Sequence, residues 1–496
     1  MKHHILPTLG ALGLAALGVT STSAHATSDT EIAALRQQIR ALEARLDSVQ
    51  RQTTSTARSA ANANAKANAN AEAAQARAVA PVVKAGPFLP PDTVVRMPNN
   101  RPTICTADGF NCVALTGQLH LDTAAYDYRP NSALTAPQRL NDGVNARRAR
   151  LGVIGTFARD FDFGLVLDGG GTTDGPASLN KAYITYRGFK SFYNLSIDGG
   201  YIDVPYTLDQ ATSSNNTMFM ERASPNTIAT SVNAGDSRSA LGIRMNDKMW
   251  WVGGYVTGPS TGTSVNHSQP QPLGAVGRAV IVPINTDAVS VLVGGDVSYL
   301  AQTGGPVGTN NLTLSDRIEV RVDPSSNALL STGALSNVDN MRILSAEAAV
   351  GVGSFYAQGE YFDYRLKRFG NLGESHFTGG YGEASFVLTG ESRKYSSSAG
   401  AFGGINPKTP FVYGTGGYGA WEIAGRYSYT NLNDLDLPAV RGGVLSNTTL
   451  GLNWYPNANI RFMFNWIHGK VEKSDVLARD LGASYDVFAM RSQFAF

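Results

Sequence analysis

The chain has 496 residues, 43% of them hydrophobic, so it is long enough to bury a large core. After the N-terminus no apolar run approaches the roughly 20 residues of a spanning helix, which excludes a helical-bundle membrane protein. The net charge of +2 excludes a strongly basic nucleic-acid-binding protein, and 53 glycines with only 16% charged residues favour a large antiparallel β-protein.

Residues 1–26 have the features of a secretory signal peptide. Lys2 precedes an apolar stretch over 5–19, and Ala24-His25-Ala26 matches the small-x-small cleavage pattern. The alternative is a buried N-terminal helix, which the polar residues 29–31 immediately downstream disfavour. The sequence therefore predicts export from the cytoplasm.

Residues 27–52 contain an apolar heptad repeat. Its members are spaced 3-4-3-4-3 and share one face of a helix: Ile32, Leu35, Ile39, Leu42, Leu46 and Val49. We predict a short periplasmic coiled-coil helix that self-associates, with a possible cell-envelope contact through 27–80. An amphipathic helix that packs on the main body is the alternative.

A linker follows over 53–113. It is rich in Ala and Asn as far as residue 80 and then in Pro. Cys105 and Cys112 are the two cysteines of the chain, and an isolated pair in an exported protein usually oxidises. We predict a structural disulfide just before the first strand; no neighbouring His or third Cys suggests a metal site.

From residue 114 to the C-terminus apolar and polar residues alternate with a period of two. In the first such segment Leu119 and Leu121 alternate with His120 and Asp122. A soluble β-sandwich would also alternate. Here, however, Gly, Arg, Asp and Asn dominate the polar face, and aromatic residues such as Trp454 mark many strand ends. This pattern is typical of a lipid-facing band with aromatic girdles around a wet lumen.

The alternation predicts an all-β fold, a sixteen-stranded antiparallel transmembrane β-barrel over 114–496. An even strand number is what bacterial barrels require, and sixteen strands can enclose an aqueous channel. Pro283 interrupts one of the strands. The chain ends in Phe494-Ala495-Phe496, which resembles the signal read by the outer-membrane assembly machinery. The predicted strands are 114–128, 144–158, 161–171, 179–188, 192–201, 238–246, 249–257, 274–285, 288–300, 341–352, 354–366, 374–390, 416–432, 441–456, 459–472 and 484–496.

Several sequence blocks of this region resemble, in the same order, blocks of a known family: RRARLGV (147–153), FMERASP (219–225), LTGESRKY (388–395), GAWEIAGRYSYTNLN (419–433) and LGLNWYPN (450–457). With them, residues 114–496 resemble the phosphate- and polyphosphate-selective porins of Gram-negative outer membranes, of the porin O and P type. The resemblance implies a trimeric barrel. It also implies that the long loop between strands five and six, about 202–237, folds inward as the constriction.

The sequence departs from this family at the start of that loop. Asp203 stands where the family usually has lysine, ahead of Pro205 and Tyr206, and the loop adds Asp209 and Glu221 before its first cation, Arg222. An acidic loop would repel phosphate. This departure leaves a general or cation-preferring porin of the same fold as an alternative.

Side chains that alternate with the apolar face should point into the lumen. This parity also places Arg461, Arg491 and several acids there, and we expect most inward charges to pair across strands and hold the wall. Arg147 has the opposite parity and is expected at the rim. With Arg222 of the loop, the candidates for the anion pathway are Arg148, Arg150, Lys181, Arg187, Arg238, Arg244, Arg393 and Arg426.

The sequence thus predicts an outer-membrane porin in contact with outer-membrane lipids, a homotrimer that passes small anions by passive diffusion. Phosphate or polyphosphate is the solute that the resemblance implies. A coiled-coil tether to the cell envelope is a further alternative. A barrel enzyme such as a lipase would need a His–Ser pair that the sequence does not suggest, and we expect no catalytic residue, metal or other cofactor.

Overall fold

The computed structural model describes residues 93–496 except 133–139, 172–177, 262–268, 306–309, 324–327, 415 and 437. Five positions nearer the N-terminus are also described, and all are helical: Gln37, Arg40, Ala44, Asp47 and Ser48. The signal peptide, the apolar heptad positions and the linker as far as residue 92 lie outside the described residues. Within the described part, no helix has the length and apolar character needed to cross a bilayer.

The body of the chain consists of sixteen long strands. Each strand that the alternation predicts is confirmed, including the one that contains Pro283, where the register with the next strand shifts between Ile281 and Ile284. The strands are β1 (Cys112–Pro130), β2 (Gly143–Phe157), β3 (Phe161–Asp168), β4 (Ser178–Phe189), β5 (Leu195–Val204), β6 (Gly235–Asp247), β7 (Trp250–Ser260), β8 (Leu273–Asn285), β9 (Val289–Gln302), β10 (Val338–Val352), β11 (Phe355–Arg368), β12 (Glu374–Val387), β13 (Ala420–Asp434), β14 (Val440–Tyr455), β15 (Ile460–Glu472) and β16 (Ala483–Ala495).

The sixteen strands form a closed antiparallel barrel. Each pairs with the next in the chain, and β16 closes on β1 with Ala495 opposite Gln118. A short hairpin, Thr93–Arg96 and Thr103–Thr106, extends the start of β1. Cys105 in this hairpin forms a disulfide with Cys112. Closure leaves no unpaired edge in the barrel wall, as a membrane requires.

The two ends of the barrel differ in their connections. At one end six connections have two to five residues, which is typical of periplasmic turns, whereas the connections at the other end reach 35 residues. A seventh connection at the short-turn end breaks the rule. It joins β12 to β13 over 388–419 and has 32 residues.

Three long segments fold at least partly into the lumen over their described residues: the constriction loop (205–234), the upper loop (303–337) and the lower loop (388–419). The constriction loop carries two helices, α1 (Leu208–Ala211) and α2 (Ser224–Asn233). With the upper loop it forms an apolar core inside the barrel, where Ile228 and Ile318 pack with Tyr364 of β11. The expectation of a uniformly wet lumen is therefore wrong at this level, because the loops bring apolar side chains to the inward strand positions.

Aromatic residues form a girdle on the outer face at the short-turn end. Trp454 stacks on both Trp421 and Phe462 with ring centroids 5.5 Å apart. Two other aromatic residues at strand ends face the lumen and do not join the girdle: Trp251 is buried with its ring centre 5.3 Å from the Arg278 guanidinium, and Tyr455 is buried as well. Neighbouring residues of a strand point to opposite faces, so Trp250 takes the outer position and Trp251 the inner one.

Candidate functional site: the constriction and the cavity below it

The constriction loop crosses the lumen immediately after β5. The backbone N–H of Thr207 donates to Asp296 on β9 (3.1 Å), and those of Leu208 and Asp209 donate to Glu360 on β11 (2.8 and 3.2 Å). A buried carboxylate accepts such bonds strongly, so the far wall holds the first turn of the loop. Tyr206, which we expected at the constriction, is fully buried in this anchor.

Three acids at this anchor come close together: Asp296, Glu347 and Glu360 have carboxylate oxygens within 4.8 Å of one another. This is the arrangement among the described residues that could hold a metal ion. Arg278 donates to both oxygens of Glu347, at 3.1 and 2.8 Å. Tyr381 donates to Glu360 at 2.6 Å. Protein donors therefore satisfy the carboxylates, and the cluster acts as the anchor of the loop.

The loop then runs back toward β1 and β16, where Glu221 meets three arginines. Its carboxylate lies 2.9 Å from Arg147 Nε, 2.7 Å from Arg491 Nη2 and 3.9 Å from Arg148 Nη1. Burial alone would raise the pKa of Glu221, but the three arginines outweigh burial and hold the pKa well below its ordinary value. Arg491 also pairs with Asp122 at 2.7 Å, which leaves this cluster with three cations and two anions. The acidic character expected of the loop is therefore compensated at Glu221.

Arg147 is a correction to the parity argument, which placed it at the rim. The pairing of β1 with β2 steps from His120 opposite Arg148 to Leu121 opposite Ala146, so Arg147 is the extra residue of a β-bulge. A bulge interrupts the strict alternation of faces. It turns the Arg147 side chain to Glu221 alongside that of Arg148.

Most of the other expected cations have a carboxylate partner. Arg150 lies 2.7 Å from Asp168 and 3.2 Å from Asp236. The remaining pairs are Lys181 with Asp203, Arg187 with Asp162 (2.8 Å), Arg244 with Asp198 (2.9 Å), Arg393 with Glu422 (2.8 Å) and Arg426 with Glu319.

Two arginines near the constriction are held by backbone carbonyls instead. Arg222 donates to the carbonyls of Asp209 (3.1 Å) and Thr212 (2.9 Å), and its ion pair with Asp209 is long, 3.9 Å. Arg461 donates to two loop carbonyls, at 3.3 and 3.4 Å, and its guanidinium lies 4.8 Å from the Tyr455 ring centre. The Glu422 carboxylate is 4.0 Å from Arg461. A carbonyl carries only a partial charge, so these guanidinium charges are less compensated than those paired with carboxylates.

Arg238 is also held by carbonyls, those of Ser231, Ala234 and Gly258, but it lies away from the cavity described next. Together with Arg148, Arg187, Arg244, Arg393 and Arg426, it is an expected pathway residue that the structure does not place on the cavity wall.

A cavity of about 750 Å³ opens below the constriction loop at the short-turn end. Its wall includes the β14–β15 turn, the C-terminal Phe496 and the loop segment 210–216. Two acidic side chains line it, Asp203 and Asp236, against five cations: Arg101, Arg150, Lys181, Arg222 and Arg461. The charged side chains of the wall therefore sum to +3, and the terminal carboxylate of Phe496 lowers the charge of the wall to +2. The low-dielectric walls of a cleft focus such a field.

Sequence reasoning found three of these five cations and missed two as pathway residues. The alternation of the strand predicts that Arg461 points into the lumen. It does not identify Arg461 as a pathway residue, because nothing in the sequence shows that its hydrogen bonds go to carbonyls. Arg101 precedes the barrel, in the linker, where no alternation could assign a direction. Pro205 and Asp203 also line the cavity, as residues of the expected constriction, whereas Asp209 and Glu221 are buried.

The barrel region of this chain matches a known protein family and is similar to known proteins. The family model described as phosphate-selective porin O and P matches residues 113–496. Porin O of Pseudomonas aeruginosa is 24% identical over 422 residues, which are 79% of this chain and 90% of that protein. An uncharacterized protein of Caulobacter vibrioides is 26% identical over 459 residues, 88% of this chain and 83% of that protein.

Two solved outer-membrane protein structures show low similarity to this chain. OmpT, an outer membrane protein of Vibrio cholerae, has a TM-score of 0.46 and 10% identity, covering 78% of this chain and 98% of its own. An anion-selective porin from Comamonas acidovorans has a TM-score of 0.42 and 11% identity, covering 78% of this chain and 100% of its own.

Proposed function

This chain belongs to the phosphate-selective porin O and P family, and from that premise we propose that its outer-membrane barrel passes small anions, with phosphate or polyphosphate as the preferred solute. The observation that carries the proposal is the cavity wall, with five cationic side chains against two acidic side chains and the terminal carboxylate of Phe496. A wall of this sign attracts anions and raises their local concentration at the constriction.

Arg222 and Arg461 are the residues that we propose for direct contact with the anion. A guanidinium binds phosphate oxygens bidentately, and both groups lie against the same stretch of the constriction loop. Arg150 and Lys181 already have carboxylate partners and would add to the field more than to binding. A small number of contacts suits a channel, since a solute must also leave.

The cluster at Glu221 would add to the field beside the constriction loop. Arg147, Arg148 and Arg491 exceed Glu221 and Asp122 by one positive charge. A cation-preferring pore would require an uncompensated acid at the start of the constriction loop. Asp203, the residue that first suggested such a pore, is paired with Lys181.

For the assembled protein, we propose a homotrimer of barrels, with residues 27–52 as a coiled-coil helix in the periplasm and 1–26 as the cleaved signal. We also propose that the assembly machinery reads the C-terminus at Phe496, whose backbone N–H and carbonyl both bond to Gly117 of β1. Removal of 27–80 tests whether the helix contributes to assembly: a trimer that persists on native gels would assign trimer contacts to the barrels.

The experiment that tests the channel function is the reversal potential of the purified protein in a planar bilayer under a KCl gradient, repeated with added phosphate. We expect anion selectivity, and a chloride current that phosphate blocks in a saturable manner. Selectivity for potassium would overturn the anion assignment. Anion selectivity without phosphate block would retain the anion channel and remove phosphate as its preferred solute.

A further inference from the structure

The lower loop has two halves with different surroundings. Its first half enters the lumen, where Arg393 pairs with the buried Glu422 and the carbonyl of Gly400 accepts from Arg278 at 2.7 Å. Phe402 packs on Tyr356 with ring centroids 4.8 Å apart. These contacts fill the periplasmic half of the lumen beneath β7–β13.

The second half leaves the lumen and forms a finger at residues 410–419, described except for 415. Phe411 N–H donates to the carbonyl of Pro456 in the β14–β15 turn (2.7 Å), and Gly419 N–H donates to that of Thr409 (3.1 Å). The indole N–H of Trp454 donates to the carbonyl of Tyr418 at 2.9 Å. The finger is therefore built onto the outer rim of the barrel.

The finger exposes aromatic side chains in line with the girdle. Tyr413 is 92% exposed and Tyr418 is 72% exposed. Phe411 makes an edge contact with Trp454, with centroids 5.3 Å apart, and Trp454 continues the stack to Trp421 and Phe462. A single exposed aromatic side chain is common on protein surfaces. A group of exposed aromatic side chains that continues a lipid-facing girdle indicates a contact surface.

The sequence of the finger suits a bilayer interface. Residues 403–419 contain one cation, Lys408, and no Asp or Glu. Gly414 and Gly416 have a φ of +80°, a conformation that other residues rarely adopt, so glycine permits the tight tip. Tyrosine combines an apolar ring with a hydroxyl that can reach water or headgroups, which is why it concentrates at membrane surfaces.

We propose that the finger 410–419 lies in the headgroup region of the periplasmic leaflet, with Tyr413 and Tyr418 as its anchors and phospholipid as its partner. The lower loop is then held at both ends, by buried ion pairs inside the lumen and by lipid outside the barrel. The proposal rests on the orientation of an outer-membrane barrel and is independent of which ion the pore prefers.

The test is the depth of a spin label at position 413 in vesicles of phosphatidylethanolamine and phosphatidylglycerol. The structure contains no free cysteine among its described residues, so a label added to Tyr413→Cys reports that site alone. Two matched controls are available. Leu241→Cys lies on the lipid-facing side of β6, 65% exposed, and Val476→Cys lies 85% exposed in the connection at the opposite end of the barrel.

Accessibility to oxygen, which partitions into lipid, is compared with accessibility to a water-soluble nickel chelate. We expect the oxygen-to-nickel ratio at 413 to be at least about threefold above that at 476 and below that at 241, as an interfacial position requires. A ratio equal to that at 476 would place the finger in water and overturn the proposal. Low accessibility to both reagents would show that protein covers the finger, which would overturn it as well.

Discussion

The two sides of the lumen use arginine differently. On the side of β8–β13, Arg278, Arg393 and Arg426 are buried and each donates to a carboxylate. On the side that borders the cavity, Arg150 still pairs with carboxylates, but Arg222 and Arg461 donate to loop carbonyls. Sequence alternation alone puts cations on both sides. The arginines on the two sides differ in the group that accepts their hydrogen bonds. A carboxylate cancels the guanidinium charge, whereas a carbonyl leaves most of that charge to act on a passing anion.

The two sides of the lumen also differ in how tightly they are packed. The lower loop fills the space beside the carboxylate-paired arginines, and burial there favours close ion pairs with several hydrogen bonds. Burial alone would lower the pKa of Arg393, but Glu422 outweighs this and raises it, so the residue stays charged. The cavity side has no such filling among the described residues of its wall. Arg222 lies on that wall with 13% of its side chain exposed, whereas Arg461 lines the wall but is itself buried.

The largest effect is expected from removing a carboxylate on the side of β8–β13, the filled side, where the lower loop occupies the lumen. Glu422 accepts from both Nη2 and Nε of Arg393, from Asn453 (3.0 Å) and from Tyr455 (2.6 Å). Glu422→Gln is expected to destabilise the barrel by about 3–5 kcal/mol, because the Arg393 charge would remain buried without a counter-charge. The measurement is the midpoint of heat-induced unfolding in detergent, followed by gel mobility.

The control for this variant is Glu472→Gln, whose partner Lys470 is exposed, and its midpoint should stay close to that of the unaltered protein. An unchanged midpoint for Glu422→Gln would mean that the filled side does not depend on its ion pairs. The contrast between the two sides would then lose its energetic basis.

The next largest effect is expected on the cavity side, and on function rather than stability. Arg222→Gln and Arg461→Gln should each raise the phosphate concentration for half-block by about five- to tenfold, since one charge-assisted contact is worth about 1–1.5 kcal/mol after desolvation. The unfolding midpoint of Arg222→Gln should change little, because this side chain is partly exposed. The measurement is phosphate block of the chloride current in a planar bilayer.

Arg187→Gln is the matched control for these variants. It also removes one guanidinium near the periplasmic end, but Arg187 is paired with Asp162 and does not line the cavity. Phosphate block should be unaffected in this variant. If Arg187→Gln weakened block as much as Arg222→Gln, total charge would matter and the type of acceptor would not.

The barrel could be predicted from sequence because a strand with one face in lipid must alternate, and sixteen such segments are visible in the chain. The inward path of the lower loop could not be predicted in the same way. It depends on long-range contacts, such as Arg278 with Gly400, that leave no periodic trace.

The site was predictable in composition but not in geometry. Parity placed Arg148 and Arg461 in the lumen but could not show which arginine meets a carboxylate. It also failed at Arg147, because a one-residue bulge changes the direction of a side chain without altering the apolar pattern around it. The departure at Asp203 was visible in the sequence, but its pairing with Lys181 was not.

The smallest effect expected is also the one that separates the two interpretations of this departure. Asp203 and Lys181 both line the cavity and are partly solvated, so their pairing is worth less than about 1 kcal/mol. Asp203→Asn should free the Lys181 charge, shift the reversal potential toward stronger anion selectivity and tighten phosphate block by about two- to threefold. If Asp203 instead defines a cation-preferring filter, the unaltered channel would select potassium and the variant would lose that selectivity. The two interpretations thus agree on the direction of the shift, and the sign of the starting potential decides between them.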